Sequence, residues 1–237
     1  MPQPSNQLVT DIVRTYPDEY KGLNPILKQI EILSEFSGFD PTPASRLAED
    51  LSGSSFNLGA EGLIITLSVP KIAERYGVFD PAWQYCCALD FVLRRMERPF
   101  FDNRGLINPD HLRVDPRVER ALNSSIEKQV GAILICPGQL GAKYAGDSPA
   151  SARRKFGKFE FGFRDFDGAV SSIANPGRFG QYRELEMDCP GTMFRRDDSA
   201  DFFWTPAYRL DMRNVLVRCA RWGDDSSPSY GSATWFI

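Results

Sequence analysis

Glu184, Glu186 and Asp188 follow one another at spacing two. On a strand the side chains alternate, so the three carboxylates share one face. Such a row can hold a hard divalent cation, and paired carboxylates can also move protons. Asp165 and Asp167 lie close by in the chain. Together the five acids outline a metal-dependent hydrolase acting on phosphoesters. That reading requires at least three of them to converge. No lysine follows Lys158 to supply the cation of the usual nuclease site. A solvated strand face, or pairing with arginines of a neighbouring strand, accounts for the same row.

A second arrangement mixes cations with aromatics. In Arg153-Arg154-Lys155-Phe156-Gly157-Lys158-Phe159, the residues Arg153, Arg154, Lys158 and Phe159 have the types that stack on bases and neutralise phosphates in single-stranded nucleic acid. The surrounding charge does not reinforce it. Residues 151–237 hold 13 basic and 12 acidic residues, and the whole chain carries a net charge of −3. No basic field draws the chain to nucleic acid or to an anionic membrane.

Asp165-Phe166-Asp167-Gly168 resembles the first motif of haloacid-dehalogenase-like phosphatases. There, two aspartates after a strand take a phosphoryl group and Mg²⁺. The resemblance covers four residues, and the 69 that follow are too few for that fold. Other chemistries are excluded more directly. The single histidine, His111, sits in an Asn-Pro turn with no nucleophile motif beside it. Five cysteines, with no CxxC spacing, fit neither a zinc ribbon nor a secreted disulfide framework. Gly138-Gln139-Leu140-Gly141-Ala142-Lys143 lacks the spacing and the following Ser/Thr of a phosphate loop, and no GxGxxG or GxSxG occurs. No cofactor is implied.

What remains in surplus is arginine and aromatic surface. Arginine outnumbers lysine 21 to 7, and arginine and large aromatics are enriched where proteins meet. Arg195-Arg196 precede Phe202-Phe203-Trp204, and the sequence ends on Trp235-Phe236-Ile237. Arg195, Arg196, Phe202, Phe203, Trp204, Trp235 and Phe236 are therefore the interface candidates. So apolar a tail should dock, on its own sheet or on another subunit.

The elements that would position these groups divide by composition. Of 19 leucines, 16 precede residue 151, while 16 of the 29 aromatics follow residue 150. Leucine favours helices, and aromatics favour pleated surfaces. The expectation is an α+β chain: a mainly helical part at 1–136, a connector or long loop at 137–150, and an antiparallel β-rich part at 151–237, with the option of one shared core. Pro preceded by a capping side chain recurs at Asn24, Thr42, Asp80, Asn108, Asp115 and Ser148. Apolar periodicity predicts helices at 6–15, 25–37, 43–52, 70–76, 81–97 and 116–130. Leu63–Val69 is a strand or a helix start, and 132–136 is a buried strand ending at Pro137-Gly138. Alternation predicts strands at 158–164, 182–188, 213–222 and 234–237, with Asp167-Gly168 as a turn.

The function this points to is a non-enzymatic interaction or assembly subunit of a multiprotein complex, for example of a virion. A protein partner or self-association is implied, and nucleic acid only through the second arrangement. The longest apolar run is far short of the ~20 residues a membrane span needs. With no leader pattern and an odd number of cysteines, the expected location is cytoplasmic.

Overall fold

The computed structural model describes residues 20, 22–53, 59–96, 100–102, 107–179, 185–195, 200–211 and 215–237, with residues 100–102 described by backbone alone. The helix expected at 6–15, and the candidates Glu184 and Arg196, lie outside the described residues.

The chain is α+β, with helices concentrated in its first half. α1 (Ile26–Ser37) and α2 (Thr42–Asp50) come first. Ser68, Asp80, Asp115 and Ser148 then each accept a first-turn amide, and so cap α3 (Val69–Arg75), α4 (Pro81–Arg94), α5 (Pro116–Lys128) and α6 (Pro149–Lys155). A proline in the first turn of each forfeits no hydrogen bond. Three of the Pro-marked sites do other work. Asn24 donates its side-chain amide to the Ala174 carbonyl at 2.7 Å and its backbone N–H to Asn175. Thr42 is itself helical, and its N–H goes to Asp40. Asn108 Oδ1 closes a turn by accepting from Asp110 and His111.

The first sheet runs β1 (Gly62–Leu67), β4 (Ile133–Gln139), β11 (Thr234–Phe236) and β5 (Glu160–Gly162), antiparallel throughout. Leu63–Val69 thus resolves as strand through Leu67, with Val69 opening α3. β4 does not stop at Pro137-Gly138 but runs through both, with Pro137 opposite Leu63. Residues 137–139, expected in a connector, are therefore strand. Two glutamines cover backbone groups along this sheet. Gln29 of α1 donates to Leu63 O and accepts from the Ile65 N–H, and Gln129 exchanges a pair of 2.8 Å bonds with Ile135.

The second sheet is mixed. β8 (Trp204–Leu210) lies beside β9 (Leu216–Trp222) along one side. Along the other lie β6 (Glu186–Asp188) and then β7 (Thr192–Phe194). β3 (Leu112–Val114) pairs antiparallel with β7. β10 (Tyr230–Ser232) runs parallel to β6, and β2 (Phe100–Asp102) parallel to β9.

The largest departure from the sequence reading is α7 (Asp165–Ala174). Alternation predicted one strand over 158–164 and a turn at Asp167-Gly168. Only Glu160–Gly162 pairs, and Asp167-Gly168 lies inside a helix that is buried nearly all round. A strand over 158–164 would put Phe159, Phe161 and Phe163 on one face, but Phe159 is exposed, while Phe163 is fully buried and stacked on Trp235 at 4.2 Å. α7 packs against β1, β8, α1 and α4. One hydrophobic core runs from Leu33, Ile65 and Leu89 through Phe166 and Val170 to Tyr208 and Trp235. Its apolar stripe, Phe166, Ala169, Val170 and Ile173, has helical spacing, but the Asp-Gly pair inside it carries the signal of a turn.

Close packing around α7 fixes its small residues. A Cβ on Gly168 would lie 2.7 Å from Tyr208 Cε2 and closer still to Cys189 Sγ. Overpacking of this kind costs about 1–3 kcal/mol. Gly168→Ala is expected to lower the urea midpoint by that equivalent at an unchanged slope, whereas Gly157→Ala, with open space around the new methyl, should leave it within error.

Candidate interaction surface

The interface candidates separate into two sets. Trp235 and Phe236 belong to the interior. β11 sits between β4 and β5, Trp235 is completely buried, and its indole N–H donates to Asp167 Oδ2 at 3.1 Å. The apolar tail is docked on its own sheet, so these two residues are not surface for a partner.

Phe202, Phe203 and Trp204 do gather at one end of the second sheet, joined by Trp222, which sequence reasoning missed. Register creates the cluster. Trp204 and Trp222 are opposite one another at the ends of β8 and β9, and their rings meet edge to face at 5.3 Å. The Gly223 N–H donates to the Phe203 carbonyl at 2.9 Å, holding Phe203 beside the same ring. Phe203 and Trp222 stack at 5.0 Å and 14°, and remain 44% and 40% exposed. Phe202 lies under two guanidinium groups, Arg113 at 3.8 Å and Arg195 at 5.6 Å from its ring centre. Stacked rings with flanking arginines are the groups that dominate protein interfaces. The 213–222 strand expectation carried the only signal for Trp222, as the last residue of a strand next to a Gly-Asp-Asp turn.

The acidic row has a different fate. Asp165 opens α7 and is gripped by Arg218 through Nε at 3.0–3.1 Å and Nη2 at 2.5 Å, while Tyr208 donates to it at 2.8 Å. Asp167, two residues on and about half a turn round the helix, takes a two-pronged bond from Arg164 at 2.7 and 2.9 Å and further donors from Thr66 and Trp235. On β6, Glu186 and Asp188 do share a face, and Arg221 bonds both. Among the described residues, no three His, Cys, Asp or Glu side chains cluster as metal ligands would. Asp165, Asp167, Glu186 and Asp188 are thus arginine partners rather than a convergent metal set. The phosphatase-like motif is likewise the first turn of a buried helix, not a loop after a strand.

The basic-aromatic segment is also dispersed. Arg153 turns inward and donates to Pro190 O and Thr205 Oγ1, both at 2.8 Å. Arg154, Lys158 and Phe159 are exposed, with Lys158 Nζ 5.1 Å from the Phe159 ring centre. His111 packs its ring near Phe194. Burial pushes the Cys86 thiol up to about 11 and the Cys136 thiol up to about 12, so neither is a poised nucleophile.

Two aspartates respond to burial in opposite directions. Asp167 is desolvated, yet Arg164 and its other donors hold its carboxyl below the usual range. Asp188 is desolvated with Arg221 as its main compensation and Glu186 opposing, and is pushed up to about 6. No family model, curated protein or solved structure matches the chain.

The interior pairs make two expectations measurable. Arg218→Met strands a buried carboxylate and is expected to cost about 3–5 kcal/mol in urea unfolding. Adding Asp165→Leu should recover most of that loss; if it recovers none, the pair is not what the single substitution disturbed. For pH, the Asp167 contribution is present above pH ~4 and lost as pH falls through its lowered pKa. The Asp188 contribution has the opposite sign: it is greatest below pH ~4 and declines as pH rises through about 6. Asp188→Asn should therefore flatten the fall in unfolding free energy between pH 4 and 6, read from urea curves at each pH.

Proposed function

We propose that this chain is a non-enzymatic interaction or assembly subunit of a multiprotein complex, such as a virion or other macromolecular assembly. It would dock through the aromatic end of β8 and β9. The observation that carries this is the Phe203–Trp222 stack, left 44% and 40% exposed, with Phe202, next in the chain, held under Arg113 and Arg195. A chain that buries Trp235 completely has the means to bury large rings. Rings kept stacked and half open at a strand end are best explained by a partner that covers them.

A cytoplasmic setting goes with this reading, since all five cysteines are unpaired. Among the described residues, no helix is long and apolar enough to cross a membrane.

The test is a comparison of wild type with Phe203→Ser/Trp222→Ser, each used as bait in extracts of the native cells. The variant should melt within about 3 °C of wild type, because both rings are already half solvated. Proteins retained by wild type should be lost or weakened at least tenfold with the variant. Equal capture by both baits, or no specific capture by either, would sink the proposal.

A further inference from the structure

A second exposed aromatic surface lies away from the β8–β9 end, at the α3–α4 corner. Tyr76 follows α3, Phe79 lies in the turn and Trp83 in the first turn of α4, and they are 53%, 72% and 50% exposed. Along α4 the same open face continues through Cys87, Asp90 and Arg94. Positions 83, 87, 90 and 94 have the 4-3-4 spacing of a helix-pairing seam. The opposite face of α4 packs on α7 and the core through Ala88, Leu89 and Val92.

Charge is unevenly placed along that seam. Its first half is aromatic. Its second half carries Asp90 and Arg94, joined at 2.7 Å, with Arg95 5.0 Å above the Phe91 ring. Beside the second half is a groove of about 320 Å³, lined by Tyr76, Cys87, Asp90, Phe91, Arg94 and Arg95. It is open, apolar on its floor and rimmed by two guanidinium groups. Those are the surroundings an indole ring favours, through stacking and cation–π contact.

We infer that α4 pairs with α4 of a second copy of this chain, antiparallel about a twofold axis, each Trp83 entering the other copy's groove. Self-complementarity carries the inference. Turned end for end, positions 83 and 94 face each other, as do 87 and 90. Each Trp83 then meets Arg94 and Arg95 of the other copy. A parallel pairing would instead set Asp90 against Asp90 and Arg94 against Arg94, and would leave both grooves unfilled. A twofold interface needs one patch that fits itself, and this face offers a knob on α4 and a hole between α4 and Tyr76. The inference is independent of the Phe203–Trp222 surface, which stays outside this contact.

Sedimentation velocity of the full chain over a wide concentration range tests it. Wild type should be a dimer that dissociates on dilution. Trp83→Ala removes the knob, and Cys87→Trp fills the hole. Each should weaken dimerisation at least tenfold, with circular dichroism melts near wild type. An equimolar mixture of the two variants should dimerise more strongly than either alone, because the Trp83→Ala chain keeps its groove and the Cys87→Trp chain keeps its Trp83. A wild type that stays monomeric, a dimer indifferent to Trp83→Ala, or a mixture no tighter than its components would overturn the inference.

Discussion

The fold hangs on two ionised aspartates brought into the interior at the start of α7. Taking a carboxylate out of water costs several kcal/mol, and only close, well-directed partners offset it. Asp167 has Arg164, Thr66 and Trp235, which belong to the N-cap of the helix, to β1 and to β11. Asp165 has Arg218 of β9 and Tyr208 of β8. The first turn of α7 therefore binds one sheet through one aspartate and the other sheet through its neighbour. The N–H groups beside them are satisfied as well, Asp165 by Thr192 and Phe166 by Tyr85. Neither sheet can shift against α7 without exposing a charge to a medium that cannot solvate it.

β11 is the second constraint. It is the only described partner of β5, and it joins that strand to β4. Without it the first sheet reduces to the β1–β4 ribbon, and a two-stranded unit is marginal in water. Thr234 hydrogen-bonds Glu160 and Gln139, 74 and 95 residues away in sequence. Glu160 in turn gathers Lys143 and Tyr144. Contacts so distant along the chain slow folding, because loop closure comes before they contribute. The β4–β11–β5 part of the sheet, the Trp235–Asp167 bond and the Phe163–Trp235 stack all depend on the docking of β11.

Much of the helical first half is legible from local chemistry. A capping oxygen before proline marks α4 and α5, and apolar residues at helical spacing with a glycine or proline stop place these and α1 and α3 within a few residues. α7 carries the same apolar spacing at Phe166, Ala169, Val170 and Ile173, but Asp167-Gly168 inside it has the signal of a turn, and no capping oxygen before a proline marks its start. Its residues Phe166, Ala169 and Val170 are apolar by necessity, its aspartates look like surface groups, and only Arg218 and Arg164 reveal otherwise, one of them 53 positions away. The acidic row shows the same limit. Spacing two correctly sets Glu186 and Asp188 on one strand face. It cannot reveal that Arg221, on β9, has its guanidinium against both. Trp222 was overlooked for a related reason: it acquires meaning only from its register with Trp204.

Arginine usage changes what the surface argument rests on. By composition, an excess of arginine over lysine suggests contact surface. In the structure Arg164, Arg178, Arg218 and Arg221 are all buried. Arg178 links the Leu140 and Leu185 carbonyls, and the other three neutralise aspartates. A planar guanidinium with five donors suits such work, because one side chain satisfies several acceptors at once, where an ammonium would leave some unpaired. Part of the arginine excess is thus an interior requirement of a mixed fold whose central helix opens with two charges. Composition then gives little support to an interface. Position gives it instead, through rings that the fold had the means to bury and left open: Phe203 with Trp222 at the strand end, and Trp83 on the same helix face as an open groove.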